Sequence, residues 1–121
     1  MRKFTLIIAI VFSGMLMQAQ ELNKNAKMLK SYSDGAYEYN DIKDAAIKEW
    51  DDDHQMIVFT INQQADALFD VVDEYNKPNY DKNIMLNAME QWGELRGDRW
   101  KGDWVMVLFS YKNQLEAKSA Y

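Results

Sequence analysis

The stretch Asp53–Ala67, DHQMIVFTINQQADA, returns fifty residues later as Asp103–Ala117, DWVMVLFSYKNQLEA. The two copies align without a gap and share the pattern Asp-x-x-Met-[Ile/Val]-x-Phe-[Thr/Ser]. Upstream, at an offset of forty-two residues, Ala46–Trp50 (AIKEW) is matched by Ala88–Trp92 (AMEQW). One helical hairpin cannot bury its apolar face alone, so a repeat of this length is typical of a duplicated hairpin.

The apolar residues of the first copy follow a helical period. They are three or four residues apart over five turns, at Ile57, Ile61, Ala65, Leu68, Val72 and Tyr75. Strand is the alternative for Met56–Ile61 and for Trp104–Tyr111, because both runs are rich in β-branched and aromatic residues. Both runs continue into helix-favouring sequence without Gly or Pro, so we predict helix in both.

Capping residues and helix breakers define the other elements. We predict helices at 20–30, from an Asn40 or Asp41 cap to Trp50, at 52–75, from an Asn79 or Asp81 cap to about Leu95, and from Asp103 to about Ser119. Pro78 ends the long helix. The predicted fold class is therefore all-α. It is a small helical bundle of two related hairpins, about 41–76 and 80–119, with a short N-terminal helix, in one domain spanning 20–121.

The acidic run Asp51–Asp53 has two structural interpretations. Asp52 can cap a new helix, with Gln55 completing a capping box, or the preceding helix can continue through the run. We expect a break or a kink here. Asp52, Asp53 and His54 are also the secondary candidates for metal ligands, but a zinc site needs three or four ligands and the chain has one histidine and no cysteine. No metal site is predicted.

The first nineteen residues have the pattern of a cleaved signal peptide. Arg2 and Lys3 precede the apolar run Phe4–Phe12, and small or polar residues lead to a cleavage site after Ala19. A retained anchor is the alternative, but the run is shorter than the roughly 20 apolar residues of a spanning helix. We expect export to the periplasm or the extracellular space, and no transmembrane segment after cleavage.

The charge balance excludes some classes of partner. Without Arg2 and Lys3 the chain has 12 basic and 19 acidic residues, a net charge of −7. Nucleic-acid binding needs clustered cations, so no nucleic-acid partner is expected. The sequence contains no cysteine, no G-x-S-x-G elbow and no Gly-Lys-[Ser/Thr] phosphate loop. We therefore predict neither an enzyme nor a cofactor.

The second connector is the candidate contact surface. It is longer than the first by eight residues, and that part of the chain adds Arg96, Arg99, Trp100 and Lys101 to an otherwise acidic protein. Tryptophan and arginine are the residue types that anchor interfaces. The alternative is structural: Trp100 folds back onto the end of the bundle while its charged neighbours stay in water.

These observations favour a non-enzymatic binding protein, such as an adaptor, an inhibitor or immunity-like protein, or a subunit of an envelope complex. Its partner is expected to be a protein, which the sequence does not identify, and the oligomeric state is left open. The alternative is a small-ligand or metal-binding helical bundle of the periplasm.

Overall fold

The structure is a computed structural model that describes residues 21–32 and 36–121. The predicted signal peptide lies outside the described residues. The chain divides after Asp66 into two compact units, here called unit 1 and unit 2. The elements, in chain order, are α1 (Lys24–Ser31), α2 (Ala36–Trp50), α3 (His54–Tyr75), α4 (Lys82–Trp92), β1 (Gly93–Arg96), β2 (Arg99–Gly102) and α5 (Trp104–Ser119).

The N-terminal helix α1 is held to the first half of α3 by amide side chains. The Asn23 side chain caps α1 by accepting from the Ala26 N–H at 2.9 Å, so the helix begins at Lys24, later than predicted. The Asn23 Nδ2 and Asn25 Nδ2 donate to the Asp66 carboxylate at 2.9–3.2 Å, and the Asn23 N–H donates to Asn62 Oδ1. These bonds fix α1 within unit 1.

Helix α2 begins before the predicted cap. It starts at Ala36, so Asn40 and Asp41 lie inside the helix and the prediction that one of them caps it is wrong. The segment Ser33–Gly35 lies outside the described residues.

The break between α2 and α3 is confirmed, but its cap is Asp53 and not Asp52. Helix α2 ends at Trp50, and Asp51 has a φ of +58°, the left-handed conformation that terminates a helix. The Asp53 Oδ1 accepts from the Met56 N–H at 3.2 Å and caps α3. Helix α3 thus starts one or two residues later than the acidic run suggests.

In unit 2, Asp81 is the cap of α4. Its Oδ1 accepts from the Ile84 N–H at 3.1 Å, and its own N–H donates to the Tyr111 hydroxyl at 3.0 Å. The Lys118 Nζ donates to Asp81 Oδ2 at 2.6 Å and joins the start of α4 to the end of α5. The hydrogen bond from the Lys118 ammonium, and after it the bond from the Ile84 N–H, lowers the pKa of Asp81. The Asp81 carboxylate in turn raises the pKa of Lys118.

The predicted extension of α4 to Leu95 is wrong. Helix α4 ends at Trp92, and Gly93 begins an antiparallel two-stranded sheet that reaches Gly102. The fold is thus mostly helical with one small sheet. Both runs that had strand as an alternative, Met56–Ile61 and Trp104–Tyr111, are helical as predicted.

The core of unit 2 lies between α4, α5 and the last turns of α3. Val107 and Tyr111 of α5 are fully buried and belong to one cluster with Val71, Met85 and Ala88. Partly buried apolar side chains pack around this cluster: Tyr80, Ile84, Met89, Trp92, Trp100, Trp104, Leu108 and Leu115. Trp100 connects the sheet to this core, which positions the connector on unit 2.

Matching positions of the two sequence copies make the same side-chain bond within their own units. In unit 1, the Trp50 Nε1–H donates to Thr60 Oγ1 at 2.9 Å. In unit 2, the Trp92 Nε1–H donates to Ser110 Oγ at 2.8 Å. Each bond links the last residue of one helix to the second turn of the next.

The turn that follows each of these tryptophans also repeats. The Asp53 N–H donates to the Trp50 carbonyl at 3.0 Å, and the Asp103 N–H donates to the Trp92 carbonyl at 3.1 Å. Asp103 then caps α5 by accepting from the Met106 N–H at 3.1 Å, as Asp53 caps α3. The ten residues between Trp92 and Asp103 therefore extend the connector and preserve the hydrogen bonds between the tryptophan, the capping aspartate and the next helix.

Candidate functional site

The second connector is a β-hairpin, called the connector hairpin below and defined as Gly93–Gly102. Its register pairs Gly93 with Gly102 and Arg96 with Arg99, so only Gly97 and Asp98 form the loop. Gly97 has a φ of +67° whereas Asp98 does not have a positive φ, which is the pattern of a type II′ turn with glycine in first place. This turn matches the twist of the strands, so the hairpin is well formed although each strand has four residues.

Trp100 attaches the connector hairpin to unit 2. Its Nε1–H donates to the Met89 carbonyl at 3.0 Å, and its ring lies 4.4 Å from the ring of Trp104 between centroids. The indole also covers the two glycines that pair at the base of the hairpin. A Cβ at Gly93 would lie 2.2 Å from the ring, and one at Gly102 would lie 2.5 Å from it. Only glycine allows this approach, so the hairpin has a fixed position on α4 and α5.

The two faces of the connector hairpin differ in chemistry. Side chains alternate along a strand and directly paired residues share a face. Leu95 and Trp100 therefore share one face with the two glycines, while the pairs Glu94–Lys101 and Arg96–Arg99 lie on the other. That second face, called the cationic face below, carries Arg96, Arg99 and Lys101 around a single carboxylate, Glu94.

The predicted partner-binding residues are thus only partly brought together. Arg96, Arg99 and Lys101 share the cationic face, but Trp100 belongs to the opposite face and is half-buried against unit 2. Arg96 is exposed and forms an ion pair with Glu94, with Nε to Oε2 at 2.7 Å. An exposed pair of this kind adds at most about 1 kcal/mol to stability, so it does not compete strongly with an external ligand.

Leu95 is the residue of this region that sequence analysis missed. It is 70% exposed and lies in β1, whereas the sequence predicts that the preceding helix runs to about Leu95. In the strand it lies on the same face as Trp100, beyond the glycines. The Gly-Asp pair between two four-residue runs was the available turn signal, but four residues are too few for a clear alternation of apolar and polar side chains.

The secondary metal candidates do not form a site. Asp52, Asp53 and His54 are all exposed, and Asp53 uses one carboxylate oxygen as a helix cap. Within residues 21–32 and 36–121, no three His, Cys, Asp or Glu side chains are grouped so as to hold a metal ion.

A shallow cleft of about 160 Å³ lies between α4 and α5. Four of the six residues that line it are polar, Asn87, Gln91, Ser110 and Gln114, and the other two are Ile84 and Ala88. Pockets that enclose small molecules usually have volumes of about 300–1,000 Å³ and mainly apolar walls. The Ser110 hydroxyl already accepts the bond from Trp92. The cleft is therefore a groove between two packed helices and is smaller than a typical ligand pocket.

None of the helices in the described part of the chain is long and apolar enough to cross a membrane. Comparison with known proteins found no matching family model, no matching curated protein and no matching solved structure.

Proposed function

We propose that the chain is an exported, non-enzymatic binding protein that recognises a protein partner through the connector hairpin. The observation that carries the proposal is the cationic face: three cations on one side of a hairpin that is fixed to its helices by Trp100. The rest of the mature chain has a strong excess of acidic residues, so this face contrasts with its surroundings. A complementary, acidic surface on the partner fits this face, because opposite potentials steer association and set orientation.

Anchoring is the second support for this proposal. A recognition loop binds more tightly when its conformation is set before binding, because less entropy is lost on association. The type II′ turn and the Trp100–Met89 bond supply this order in the connector hairpin. Trp100 then acts as a support for the cationic face, and the partner contacts Arg96, Arg99 and Lys101.

We also propose that the two units arose by duplication and that their helices pack as a bundle. The support is the pair of matching tryptophan–hydroxyl bonds and the pair of matching aspartate caps. In this interpretation the connector hairpin is an insertion into the second copy, placed where unit 1 has only the turn Asp51–Asp53. Insertions between scaffold elements are a common origin of binding loops.

The alternative of a small-ligand or metal-binding bundle has one feature in its favour, the cleft between α4 and α5. Its amide and hydroxyl groups suit a small polar compound more than an apolar one or a metal ion. A thermal-shift screen with small polar compounds tests this alternative. A rise in melting temperature that Gln91→Ala removes would favour it.

The main test is a cross-linking pull-down with tagged mature protein from envelope and secreted fractions of the native host, read by mass spectrometry. The informative variant is Arg96→Glu with Arg99→Glu and Lys101→Glu, which reverses the charge of the cationic face without removing Trp100. The matched control is Lys48→Glu with Lys82→Glu and Lys112→Glu, three exposed positions on α2, α4 and α5. We expect one partner in near-stoichiometric amount with the native chain and the control, and its loss with the hairpin variant.

Retention of the same partner by the hairpin variant would contradict the assigned surface. A folded native chain that captures no partner would argue against the interaction class altogether. Export is tested separately by fractionating cells that express residues 1–121 or residues 20–121. We expect export of the longer chain alone, with Gln20 as the N-terminus of the exported protein.

A further inference from the structure

The outer edge of β1 has backbone groups that point away from β2. In an antiparallel ladder, residue pairs that exchange hydrogen bonds alternate with pairs that do not. The bond from the Asp103 N–H to the Trp92 carbonyl shows that Trp92 and Asp103, at the base of the hairpin, are a hydrogen-bonded pair. The next hydrogen-bonded pairs are then Glu94–Lys101 and Arg96–Arg99. Glu94 and Arg96 therefore direct their backbone groups toward β2, while Gly93 and Leu95 direct theirs outward. In the described part of the chain, the sheet consists of β1 and β2 alone.

The side chains along this edge are exposed and have a self-complementary order. Leu95 is the large apolar side chain of the edge, and Glu94 and Arg96 flank it with opposite charges. When such a strand pairs antiparallel with its own copy about the central leucine, Glu94 of each chain lies opposite Arg96 of the other. Opposite charges in directly paired positions stabilise a sheet, and like charges destabilise it.

We propose that β1 pairs antiparallel with β1 of a second copy of this chain, centred on Leu95, to form a four-stranded sheet across a twofold axis. The outward N–H and C=O of Leu95 then exchange two hydrogen bonds with the same groups of the second copy. The two exposed leucines become cross-strand neighbours. A twofold contact needs a self-complementary patch, and the Glu94-Leu95-Arg96 order provides one.

The charge pattern favours a second copy over a strand that carries only acidic residues. Each Glu94 lies between Lys101 of its own hairpin and Arg96 of the second copy, so no carboxylates face each other at the centre of the sheet. The two ion pairs between Glu94 and Arg96, one within each chain, are exchanged for two pairs between the chains. Pairing at this edge does not rest on the proposed function: Glu94 and Arg96 belong to both the edge and the cationic face, but the dimer requires no other protein partner.

Sedimentation equilibrium on the purified mature chain tests the inference, over protein concentrations from about 1 µM to about 1 mM, the range of weak dissociation constants. The native chain is expected to reach the dimer mass within this range, because a short ladder makes a small interface. In a dimer of Glu94→Arg, two arginines lie opposite each other at both paired positions. In a dimer of Arg96→Glu, two glutamates do so. Each variant should dimerise about tenfold more weakly, or not at all.

The decisive sample is an equimolar mixture of the two variants. One chain then carries two arginines at the edge and the other carries two glutamates, so only the heterodimer has complementary pairs. The mixture should form dimer where neither variant does, and the double variant Glu94→Arg with Arg96→Glu should dimerise like the native chain. A native chain that stays monomeric throughout, or variants that dimerise like the native chain, would overturn the proposal.

Amide hydrogen exchange separates this edge from any other dimer contact. The Leu95 N–H is expected to exchange more slowly as the protein concentration rises, while the outward N–H of Trp100 on β2 stays unchanged. Protection that grows at Trp100 and not at Leu95 would place the contact elsewhere and also overturn the proposal. Glu94 and Arg96 are exposed, so we expect the variants to fold, and circular dichroism checks their helicity.

Discussion

Units 1 and 2 share a local framework but differ in their connectors and in the burial of a matching phenylalanine. Both have a tryptophan that donates to a hydroxyl in the next helix, and both have an aspartate that caps this helix. The connector is a three-residue turn in unit 1 and a β-hairpin in unit 2. In addition, Phe59 is 3% exposed, whereas Phe109 at the matching position is 57% exposed.

The difference shows which part of the repeated sequence is under a packing constraint. The positions that match in structure connect one helix to the next and set the local helix geometry. The positions that diverge, the connector and the outer face of α5, are on the surface of unit 2. We therefore expect variants at matched positions to act alike in both units, and variants at diverged positions to act in one unit.

The largest expected contrast is between two identical residues. Phe59→Ala should lower the free energy of unfolding by about 3–5 kcal/mol, because it removes a buried aromatic ring and leaves a cavity. Phe109→Ala should change it by less than about 0.5 kcal/mol, as exposed substitutions do. Urea denaturation followed by circular dichroism measures both. Equal losses in the two variants would show that Phe109 is covered in solution.

The second prediction concerns the connector, which only unit 2 extends. Gly102→Ala should lower the free energy of unfolding by about 1–3 kcal/mol, because the new Cβ would overlap the Trp100 ring. The control is Gly102→Ala in a Trp100→Ala background, where the overlap with the indole is gone and the overlap with the Gly93 Cα at 2.6 Å remains, so the alanine should cost less. If the alanine costs the same in both backgrounds, contact with the indole is not its cause.

The third prediction tests whether the tryptophan–hydroxyl hydrogen bonds of the two units contribute equally to the free energy of unfolding. Trp50→Phe and Trp92→Phe should each lower the free energy of unfolding by about 1 kcal/mol, the usual net contribution of a hydrogen bond. Double-mutant cycles with Thr60→Val and Ser110→Ala isolate the bond from the loss of ring area. We expect coupling energies of about 0.5–1.5 kcal/mol in both units. Coupling in one unit alone would weaken the duplication proposal.

The smallest effect concerns an ion pair that has no equivalent in unit 1. With the offset of forty-two residues, Asp81 matches Tyr39, and with the offset of fifty residues, Lys118 matches Leu68. The Lys118 ammonium lowers the pKa of Asp81 below its ordinary value of 3.8 in the folded protein. The contribution of the ion pair to stability is complete above the pKa that Asp81 has in the unfolded chain. It is lost as the pH falls through the lower pKa that Asp81 has in the folded protein.

Melting temperatures measured through the acid range test this ion pair. Lys118→Met should move the pKa of Asp81 back toward its ordinary value while the Ile84 cap remains, so the acid-dependent loss of stability becomes shallower. Asp81→Asn keeps a capping side chain and should flatten the same part of the curve. Curves for both variants that run parallel to the native curve would exclude the pair as a source of acid sensitivity.

Sequence reasoning located the helices well because caps and periodicity are local properties. The break after Trp50, the Asp81 and Asp103 caps and the end of α3 at Tyr75 all follow from nearby residues. Helix α2 begins earlier than predicted, since Ala36 precedes both candidate caps. The choice of Asp53 over Asp52 as the cap of α3 is a shift of one residue, within the uncertainty of any helix end.

The connector hairpin could not be derived in the same way. Its strands have four residues each, and their stability depends on Trp100 lying over Gly93 and Gly102. That contact joins residues through tertiary packing, which no local pattern encodes. The sequence did identify Arg96, Arg99 and Lys101 as a cluster, but it placed Trp100 among them without the strand alternation that separates the two faces.

The close approach of the Trp100 and Trp104 rings has a spectroscopic consequence. Two indoles 4.4 Å apart between centroids, with planes inclined at 57°, couple their electronic transitions and give a paired signal in the circular dichroism spectrum. The native chain thus carries a built-in optical reporter of the connector hairpin, which distinguishes its opening from the melting of the helices without any added label.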